Sequence, residues 1–232
     1  MKSLFRSYDT SIDNAYIVTI KGNSLSEKYS ARCQDSCRRV SQQFKVWDAF
    51  DGTGDGSIIV PDHSKACSYM SIIKIMDNYL TKAEVAIALS HISLWLHCAK
   101  IDKPIIILEH DAIMLRKLDQ FKGYNTIMYL GCVEWVKEKW PLYPIPVHGS
   151  DGPNKHFICR AHAYAIDPAV AKNLLAQTLK MGIYASLDEM MYADLYNISH
   201  DGIYAYDEAG VSTAQNRPKE GRTTVKNDDL SR

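Results

Sequence analysis

The sequence has no excess of charge of either sign, because 27 Lys and Arg are balanced by 27 Asp and Glu. A neutral chain has no global attraction for nucleic acid or an anionic membrane, although a local charged patch remains open. No stretch approaches the roughly 20 apolar residues that span a bilayer. The first residues lack the apolar core of a signal peptide. We therefore expect a protein without a transmembrane segment that is cytoplasmic, or in the host cytoplasm if it is viral.

The six cysteines lack the paired spacing of a zinc site. Cys33 and Cys37 are four residues apart in a predicted helix, but no second pair of suitable spacing accompanies them. In a chain of 232 residues without a signal peptide, we expect reduced thiols. Internal repeats and low-complexity segments are also lacking.

Strand and helix patterns alternate along the chain. Short apolar runs predict strands at 15–20, 44–49, 104–109, 126–130 and 157–166, with a weaker signal at 203–206. Asp167-Pro168 is typical of a helix start. Three further helix starts are predicted by capping-box spacing: Ser24 with Glu27, Thr81 with Glu84, and Ser186 with Glu189. This alternation predicts an α/β fold with a mainly parallel sheet and helices on both faces.

Three polar residues, Glu109, His110 and Asp111, follow the apolar run at 104–108. Ligands of open α/β sheets bind just outside the carboxyl ends of the strands. Two carboxylates separated by a spacer can hold a hard cation, and the cation can hold a diphosphate. The alternative is an acidic strand end whose charges are simply solvated. The tripeptide alone leaves both interpretations open.

Two more acids, Asp48 and Asp51, end the second predicted strand and begin a glycine-rich loop at 51–56. Glycines let such a loop turn sharply or approach a ligand closely. A carboxylate at a strand end is well placed to accept hydrogen bonds from ribose hydroxyls. We therefore expect Asp48 and Asp51 to contact the ribose or the base of a nucleotide.

The order of these segments resembles glycosyltransferase family 25, the group that contains lipooligosaccharide and collagen galactosyltransferases. The resemblance covers about residues 13–215, through AYIVTI, VWDAFDG, LTKAEVAIALSHISLWLHCAK, PIIILEHDA, AHAYAIDPAVAKNLL and SLDEMM. The chain also departs from the family pattern. His110 replaces the middle acid of Glu-Asp-Asp, Ala86-Ile87 replaces Gly-Cys before Ser90-His91, and the arginines after the first strand are reduced to Lys28 and Arg32.

The resemblance implies a GT-A-like fold with one domain over residues 1–216. A Rossmann-type half at about 13–130 would bind a nucleotide sugar, expected to be UDP-linked, and a half at about 131–216 would shape the acceptor site. Residues 217–232 are predicted to be a polar, flexible tail. The implied reaction is transfer of a sugar, with inversion, to an acceptor hydroxyl. A divalent cation, Mn²⁺ or Mg²⁺, would neutralise the diphosphate leaving group.

The resemblance also suggests which residues hold the cation and which catalyse. Asp111, Glu109 and His110 would be the metal ligands, although a hard cation prefers oxygen to imidazole. Asp188 would be the general base that accepts the proton of the acceptor. Its alternative is an acid that interacts with the dipole of the helix after Ser186. His91 would be a second catalytic residue, with a buried histidine in the core as the alternative.

Donor-binding residues are expected at Asp48, Asp51, Glu84 and Ser90. For Glu84, the capping box with Thr81 is a competing explanation. Aromatic residues such as Tyr16, Trp47 and Tyr164 are assigned to the core, because aromatic side chains occur there more often than in stacking platforms.

Three functions remain open at this point. The first is a glycosyltransferase that acts on a cell-surface glycan such as lipopolysaccharide; collagen is disfavoured because it would require a secretory signal. The second is a phage enzyme that glycosylates hydroxymethylated bases in DNA. No polybasic membrane segment is evident, and the tail after Gln215 has five basic and three acidic residues, which suits phosphate contact. The third is a non-catalytic nucleotide- or carbohydrate-binding relative.

Overall fold

The computed structural model describes residues 11–12, 14–54, 56–65, 72–76, 80–133, 148–149, 156–157, 161–200 and 202–207. The first half of this region contains β1 (Ala15–Thr19), α1 (Ser24–Arg39), β2 (Phe44–Asp48), α2 (Asp62–Lys65), α3 (Lys82–Ile101) and β3 (Ile105–Glu109). Then follow β4 (Ala112–Met114), β5 (Thr126–Tyr129), β6 (Gly131–Val133), β7 (His148–Gly149), β8 (His156–Phe157) and β9 (Ala163–Ile166). The last elements are α4 (Pro168–Met181), α5 (Leu187–Met190), β10 (Asn197–Ser199) and β11 (Ala205–Asp207).

The central sheet has six strands in the order β10-β5-β9-β3-β1-β2. The pairs β1–β2, β1–β3 and β10–β5 are parallel, whereas β9 is antiparallel to both of its neighbours. A mostly parallel sheet confirms the predicted α/β fold class. Strand β9 comes from the later half of the chain but lies in the middle of the sheet, so both predicted halves contribute to one sheet.

Helices cover both faces of this sheet, as predicted. Alternate residues of a strand point to opposite faces, and β3 shows this directly. Ile105 and Ile107 pack in a core with α3 and α4, whereas Ile106 and Leu108 pack in a second core with Cys33 of α1. The first face is called the α3 face below, and the second the α1 face.

Helix α3 confirms the capping box predicted at its start. Thr81 Oγ1 accepts a hydrogen bond from the Glu84 N–H (3.2 Å), and Glu84 Oε2 accepts one from the Thr81 N–H (2.7 Å). The helix ends where Asp102 adopts a left-handed conformation, with φ 55°. Its 20 residues run beneath the sheet and bring Ser90 and His91 into the buried interior.

Of the other two predicted caps, Ser24 is wrong, whereas Ser186 is the N-cap residue of α5, as predicted. Helix α1 is capped by Asn23, whose side chain accepts a hydrogen bond from the Ser26 N–H at 3.1 Å, so Ser24 is already helical. Glu27 accepts from the Gly22 N–H instead (2.8 Å). At α5, Ser186 makes no side-chain capping bond. Asn and Ser are comparable caps, so which of two adjacent residues is used depends on how the chain enters the helix.

The strand predicted at 157–166 is shorter than expected. β9 occupies only its last four residues, and residue 157 belongs to β8, which pairs with β7. A three-stranded sheet in the order β4-β11-β6 continues from the carboxyl ends of β3 and β5. In the part of the chain that the structure describes, no helix combines the length and apolarity that crossing a bilayer needs.

Candidate active site

A pocket lies on the α3 face, at the carboxyl ends of β1 and β3. Its walls are mainly apolar and come from the end of β1, the loop after β2 and the first turns of α3. Five of the nine predicted site residues line it: Ser90, His91, Glu109, His110 and Asp111. The enclosed space is about 50 Å³, which holds only a few water molecules. It therefore accepts at most a small part of a nucleotide sugar.

The loop after β2 forms one wall because it lies directly against the start of α3. A Cβ added to Gly52 would meet the Lys82 carbonyl carbon at 2.5 Å, so only glycine permits this approach. The Lys82 ammonium donates to the Gly56 carbonyl oxygen (2.7 Å) and holds the far end of the loop. The glycine-rich segment thus packs against the helix, and its residue Thr53 lines the pocket.

At the inner end of the pocket, Glu109 faces His91. The His91 Nε2 and the Glu109 Oε1 are 3.6 Å apart, which is too long for a hydrogen bond. On its other side, His91 Nδ1 lies 2.7 Å from the Tyr164 hydroxyl oxygen. His91 and Tyr164 are completely buried, whereas the Glu109 side chain remains 28% exposed towards the pocket.

Burial decides the charge of these groups. Loss of solvent lowers the pKa of His91 to about 3, against a smaller opposing effect of the Asp188 charge, so His91 is neutral at physiological pH. Burial, reinforced by the charge of Asp207, raises the pKa of Glu109 to about 7. His91 and Glu109 therefore do not form a charged pair near neutral pH.

Asp188 lies close to this group although it does not line the pocket. Its Oδ1 accepts a hydrogen bond from the Ala161 N–H at 2.9 Å. The next residue, His162, accepts the Glu109 N–H through its carbonyl oxygen (2.8 Å). Residues 161–162 therefore connect Asp188, the predicted general base, to the end of β3. The charge of Asp188 acts to raise the pKa of both His91 and Tyr164.

The three predicted metal ligands line the same pocket, but His110 and Asp111 also lie close to α1. Glu109 points to the α3 face, where it meets His91. His110 stacks on the Tyr29 ring of α1, with centroids 6.4 Å apart, and therefore lies towards the α1 face. A hydrogen bond with Cys37 and burial raise the pKa of Cys33 on α1, and the charge of Asp111 adds a smaller effect in the same direction. Among the described residues, no three His, Cys, Asp or Glu side chains are grouped to hold an ion, and the metal role of Glu109, His110 and Asp111 remains a prediction.

Two of the predicted donor-binding residues have clear roles in the fold. Ser90 Oγ donates to the Ala86 carbonyl (2.7 Å) and accepts from the Phe50 N–H (2.9 Å), which ties the loop after β2 to α3. Glu84 completes the capping box of α3. Neither role excludes contact with a donor, and both residues remain predictions as donor ligands.

Asp48, the last residue of β2, and Asp51, in the loop after it, are placed differently from each other. Asp51 Oδ1 accepts from the Thr53 N–H (2.7 Å) and hydroxyl (2.5 Å), so it shapes its own loop. Asp48 lines a separate groove of about 290 Å³ on the α1 face, between α1 and the edge strand β2, with Lys21 and Gln34. The structure therefore does not bring Asp48 and Asp51 into the pocket at Glu109.

Sequence reasoning missed four residues of the site. Tyr164 was assigned to the core, although its hydroxyl oxygen contacts His91. Trp95, whose indole N–H donates to that hydroxyl oxygen, was given no role. His162 links to the Glu109 backbone. Asp207 ends β11, and its charge acts on Glu109. The acid after the weak strand signal at 203–206 was the only indication of Asp207.

A sheet whose strand ends carry buried carboxylates beside a pocket defines a class of α/β proteins that bind their ligand at the carboxyl edge. The particular family follows from comparison. The family model for glycosyltransferase family 25, described as LPS biosynthesis protein, matches residues 16–142. This is more than half of the chain, which therefore belongs to glycosyltransferase family 25 and is a glycosyltransferase.

One solved structure with a similar fold is the crystal structure of a glycosyltransferase involved in the glycosylation of the major capsid of PBCV-1. The two share 7% sequence identity, with 87% of this chain and 95% of that chain covered and a TM-score of 0.43. This similarity is too weak to assign a substrate. None of the curated proteins matches the sequence.

Proposed function

We propose that the chain is an inverting glycosyltransferase that moves a sugar from a UDP-linked donor to a hydroxyl group of a cell-surface glycan such as lipopolysaccharide. The observation that carries this proposal is a group of three acids around His91 in a chain of family 25: Glu109 faces His91 in the pocket, the charge of Asp188 acts on His91, and the charge of Asp207 acts on Glu109. The description of the family as LPS biosynthesis supports the acceptor class.

Asp188 is our candidate for the general base. In an inverting transfer, the acceptor oxygen bonds to the anomeric carbon while the bond from that carbon to the diphosphate oxygen breaks. The acceptor proton passes to a base on the side opposite the departing nucleotide. The Ala161 N–H holds one oxygen of Asp188 in place, which orients the carboxylate for the proton transfer.

Glu109 is our candidate for holding the sugar. A carboxyl group at the closed end of an apolar-walled pocket can exchange hydrogen bonds with sugar hydroxyls, while the walls exclude water. Its partial exposure towards the pocket leaves it accessible to such a ligand. Holding donor and acceptor in line supplies much of the rate by proximity.

The α1 side of the strand end offers positive charge for the departing diphosphate. Lys28 Nζ and Arg32 Cζ lie 5.8 Å and 5.9 Å from the centroid of the Tyr29 ring, which in turn stacks on His110. Both cationic side chains are exposed, and His110, on which Tyr29 stacks, also lines the pocket. A divalent cation remains a prediction, and because no three His, Cys, Asp or Glu side chains among the described residues are grouped to hold one, we assign no step of the reaction to it.

A donor and acceptor screen tests this proposal. The purified protein would be incubated with UDP-, GDP- and CMP-sugars, each with Mn²⁺, with Mg²⁺ or with EDTA. Each mixture would receive lipooligosaccharide, a hydroxymethylcytosine DNA duplex or no acceptor. We expect nucleotide release and sugar transfer with a UDP-sugar and lipooligosaccharide, and an inverted anomeric centre in the NMR spectrum of the product.

The other outcomes are equally informative. Salt-sensitive transfer to the DNA duplex would replace the glycan with DNA as the acceptor; the tail on which that alternative depends, 217–232, lies outside the described residues. Binding of a nucleotide sugar without turnover for any acceptor would indicate a non-catalytic relative. A retained anomeric configuration would refute inversion.

A further inference from the structure

A chain of buried polar contacts leads from the core to the pocket. The Trp95 Nε1–H donates to the Tyr164 hydroxyl oxygen (3.0 Å), and that oxygen lies 2.7 Å from His91 Nδ1. His91 Nε2 then faces Glu109 Oε1 at 3.6 Å. Tyr164 is paired with Ile107, two residues before Glu109 in β3, so its ring lies on the same face of the sheet as Glu109.

The number of donors and acceptors on each of these groups determines which group donates and which accepts in every contact. Indole nitrogen can only donate, so Trp95 uses one lone pair of the tyrosine oxygen. The tyrosine has one proton, and leaving it unbonded in a dry core would cost on the order of 1–3 kcal/mol. Donation of that proton to His91 Nδ1 avoids this cost. A neutral histidine that accepts at Nδ1 carries its proton on Nε2, which is the nitrogen that faces Glu109.

We infer that Tyr164 and Trp95, acting through His91, are positioning residues that present an N–H group to Glu109 and hold its carboxyl in place for the sugar. This inference rests on the proposed function. The distance of 3.6 Å between Nε2 and Oε1 is longer than a hydrogen bond. Contacts of this kind are often long in a free enzyme and shorten when substrate binds.

Packing alone does not require such a chain. Trp95, Tyr164 and His91 are surrounded by the apolar core between α3 and α4, where apolar side chains of similar volume would also fill the space. A buried polar network is favourable only when each member has its partner. His91 Nε2 has no hydrogen bond among the described residues, and Glu109 is the carboxyl group in front of it.

A second histidine–tyrosine pair provides a matched control on the same helix and the same face. His97 Nε2 lies 2.8 Å from the Tyr16 hydroxyl oxygen. Tyr16 is also buried, at 4% exposure, but neither residue lines the pocket. Loss of the hydroxyl group from Tyr16 therefore removes a comparable hydrogen bond without affecting Glu109.

The experiment compares Tyr164→Phe with Tyr16→Phe in sugar transfer, in thermal unfolding and in ¹⁵N NMR spectra of histidine-labelled protein. We expect Tyr164→Phe to lower kcat by on the order of tenfold to a hundredfold with little change in donor KM, by analogy with the loss that follows removal of the hydrogen-bond partner of a metal ligand. Tyr16→Phe should lower stability without changing kcat. His91→Gln, which can accept from Tyr164 and donate to Glu109, should retain more activity than His91→Leu.

The spectrum tests the tautomer independently of activity. In the wild-type protein, the His91 Nε2 should resonate as a protonated nitrogen and Nδ1 as an unprotonated one. A proton on Nδ1, or an unchanged kcat in Tyr164→Phe, would overturn the inference while the glycosyltransferase function stands. If the wild-type protein transfers no sugar but shows the Nε2–H tautomer, the proposed function fails and the chain of contacts stands.

Discussion

Replacing Ser90 with Ala separates a role in the fold from a role in donor binding. The hydroxyl group of Ser90 joins two elements, because it accepts from the Phe50 N–H of the loop after β2 and donates to the Ala86 carbonyl of α3. Ser90 and Phe50 are 1% and 3% exposed. In Ser90→Ala, water cannot easily replace the lost partner of the Phe50 N–H.

The magnitude follows from these contacts. A buried N–H left without its partner costs about 1–3 kcal/mol. The Ala86 carbonyl is unaffected, because it keeps the backbone hydrogen bond of the helix. Alanine is a better helix former than serine by a few tenths of a kcal/mol, which offsets part of the loss. We expect a net destabilisation of about 1–2 kcal/mol, or roughly 2–8 °C in Tm for a chain of this size.

The assay combines thermal and urea unfolding with donor affinity from calorimetry. Ser93→Ala is the control, because Ser93 accepts from the indole N–H of Trp47 (2.9 Å), which is only part-buried and can be rehydrated. We expect Ser90→Ala to unfold at lower temperature than Ser93→Ala, and a donor affinity that falls only in Ser90→Ala would add the predicted donor contact to this role in the fold. Unchanged stability together with weakened donor binding would refute this reasoning and support Ser90 as a donor ligand.

Three further predictions follow from particular contacts. Gly131→Ala places a methyl group against the buried His162 ring, so the free energy of unfolding should fall by about 1–3 kcal/mol, the cost of overpacking, in chemical unfolding. An unchanged free energy of unfolding would contradict the close approach of His162 to Gly131. Burial lowers the pKa of His91 to about 3, so below pH 6.5 the unfolded state binds more protons than the folded state. In urea unfolding, the free energy of unfolding of the wild-type protein should therefore fall by up to about 2 kcal/mol more than that of His91→Gln between pH 7 and 5. Parallel pH profiles would refute this. Because Arg32 is proposed to attract the diphosphate, Arg32→Ala should weaken UDP binding by about tenfold at low salt. The control is Arg39→Ala, at the C-terminal end of α1; if both variants bind UDP equally well, the diphosphate binds elsewhere.

Local sequence patterns were sufficient for most of the elements. The capping box at Thr81 and Glu84 involves residues three apart, so its spacing alone predicts the start of α3. The start of α1 was predicted one residue late, because Asn23 and Ser24 are both good caps and their choice depends on the turn at Gly22. The antiparallel direction of β9 was not predictable, since a short apolar run indicates a strand but not the direction in which it pairs with its neighbours.

The site was predicted only in part, because the contacts of its residues, like the direction of β9, depend on tertiary structure. The acidic end of β3 is visible in the sequence, and strand alternation predicts that Glu109 and His110 face opposite sides. The partners of Glu109 are distant in sequence: His91 comes from the preceding helix, Tyr164 is set by the register of β9 against β3, and Asp207 comes from β11. A tyrosine or tryptophan in an apolar run predicts burial, but the contacts of its polar atom depend on tertiary structure.

Single-turnover sugar transfer by Asp188→Asn tests the central claim most directly. The variant keeps the shape of the side chain and an oxygen that can accept from the Ala161 N–H, but it cannot accept the acceptor proton. We expect transfer to slow by roughly 10²–10⁴-fold, with donor affinity and Tm close to those of the wild-type protein and with Glu189→Gln, the neighbouring acid on α5, fully active. Wild-type rates in Asp188→Asn, or equal losses of rate and stability, would contradict the account.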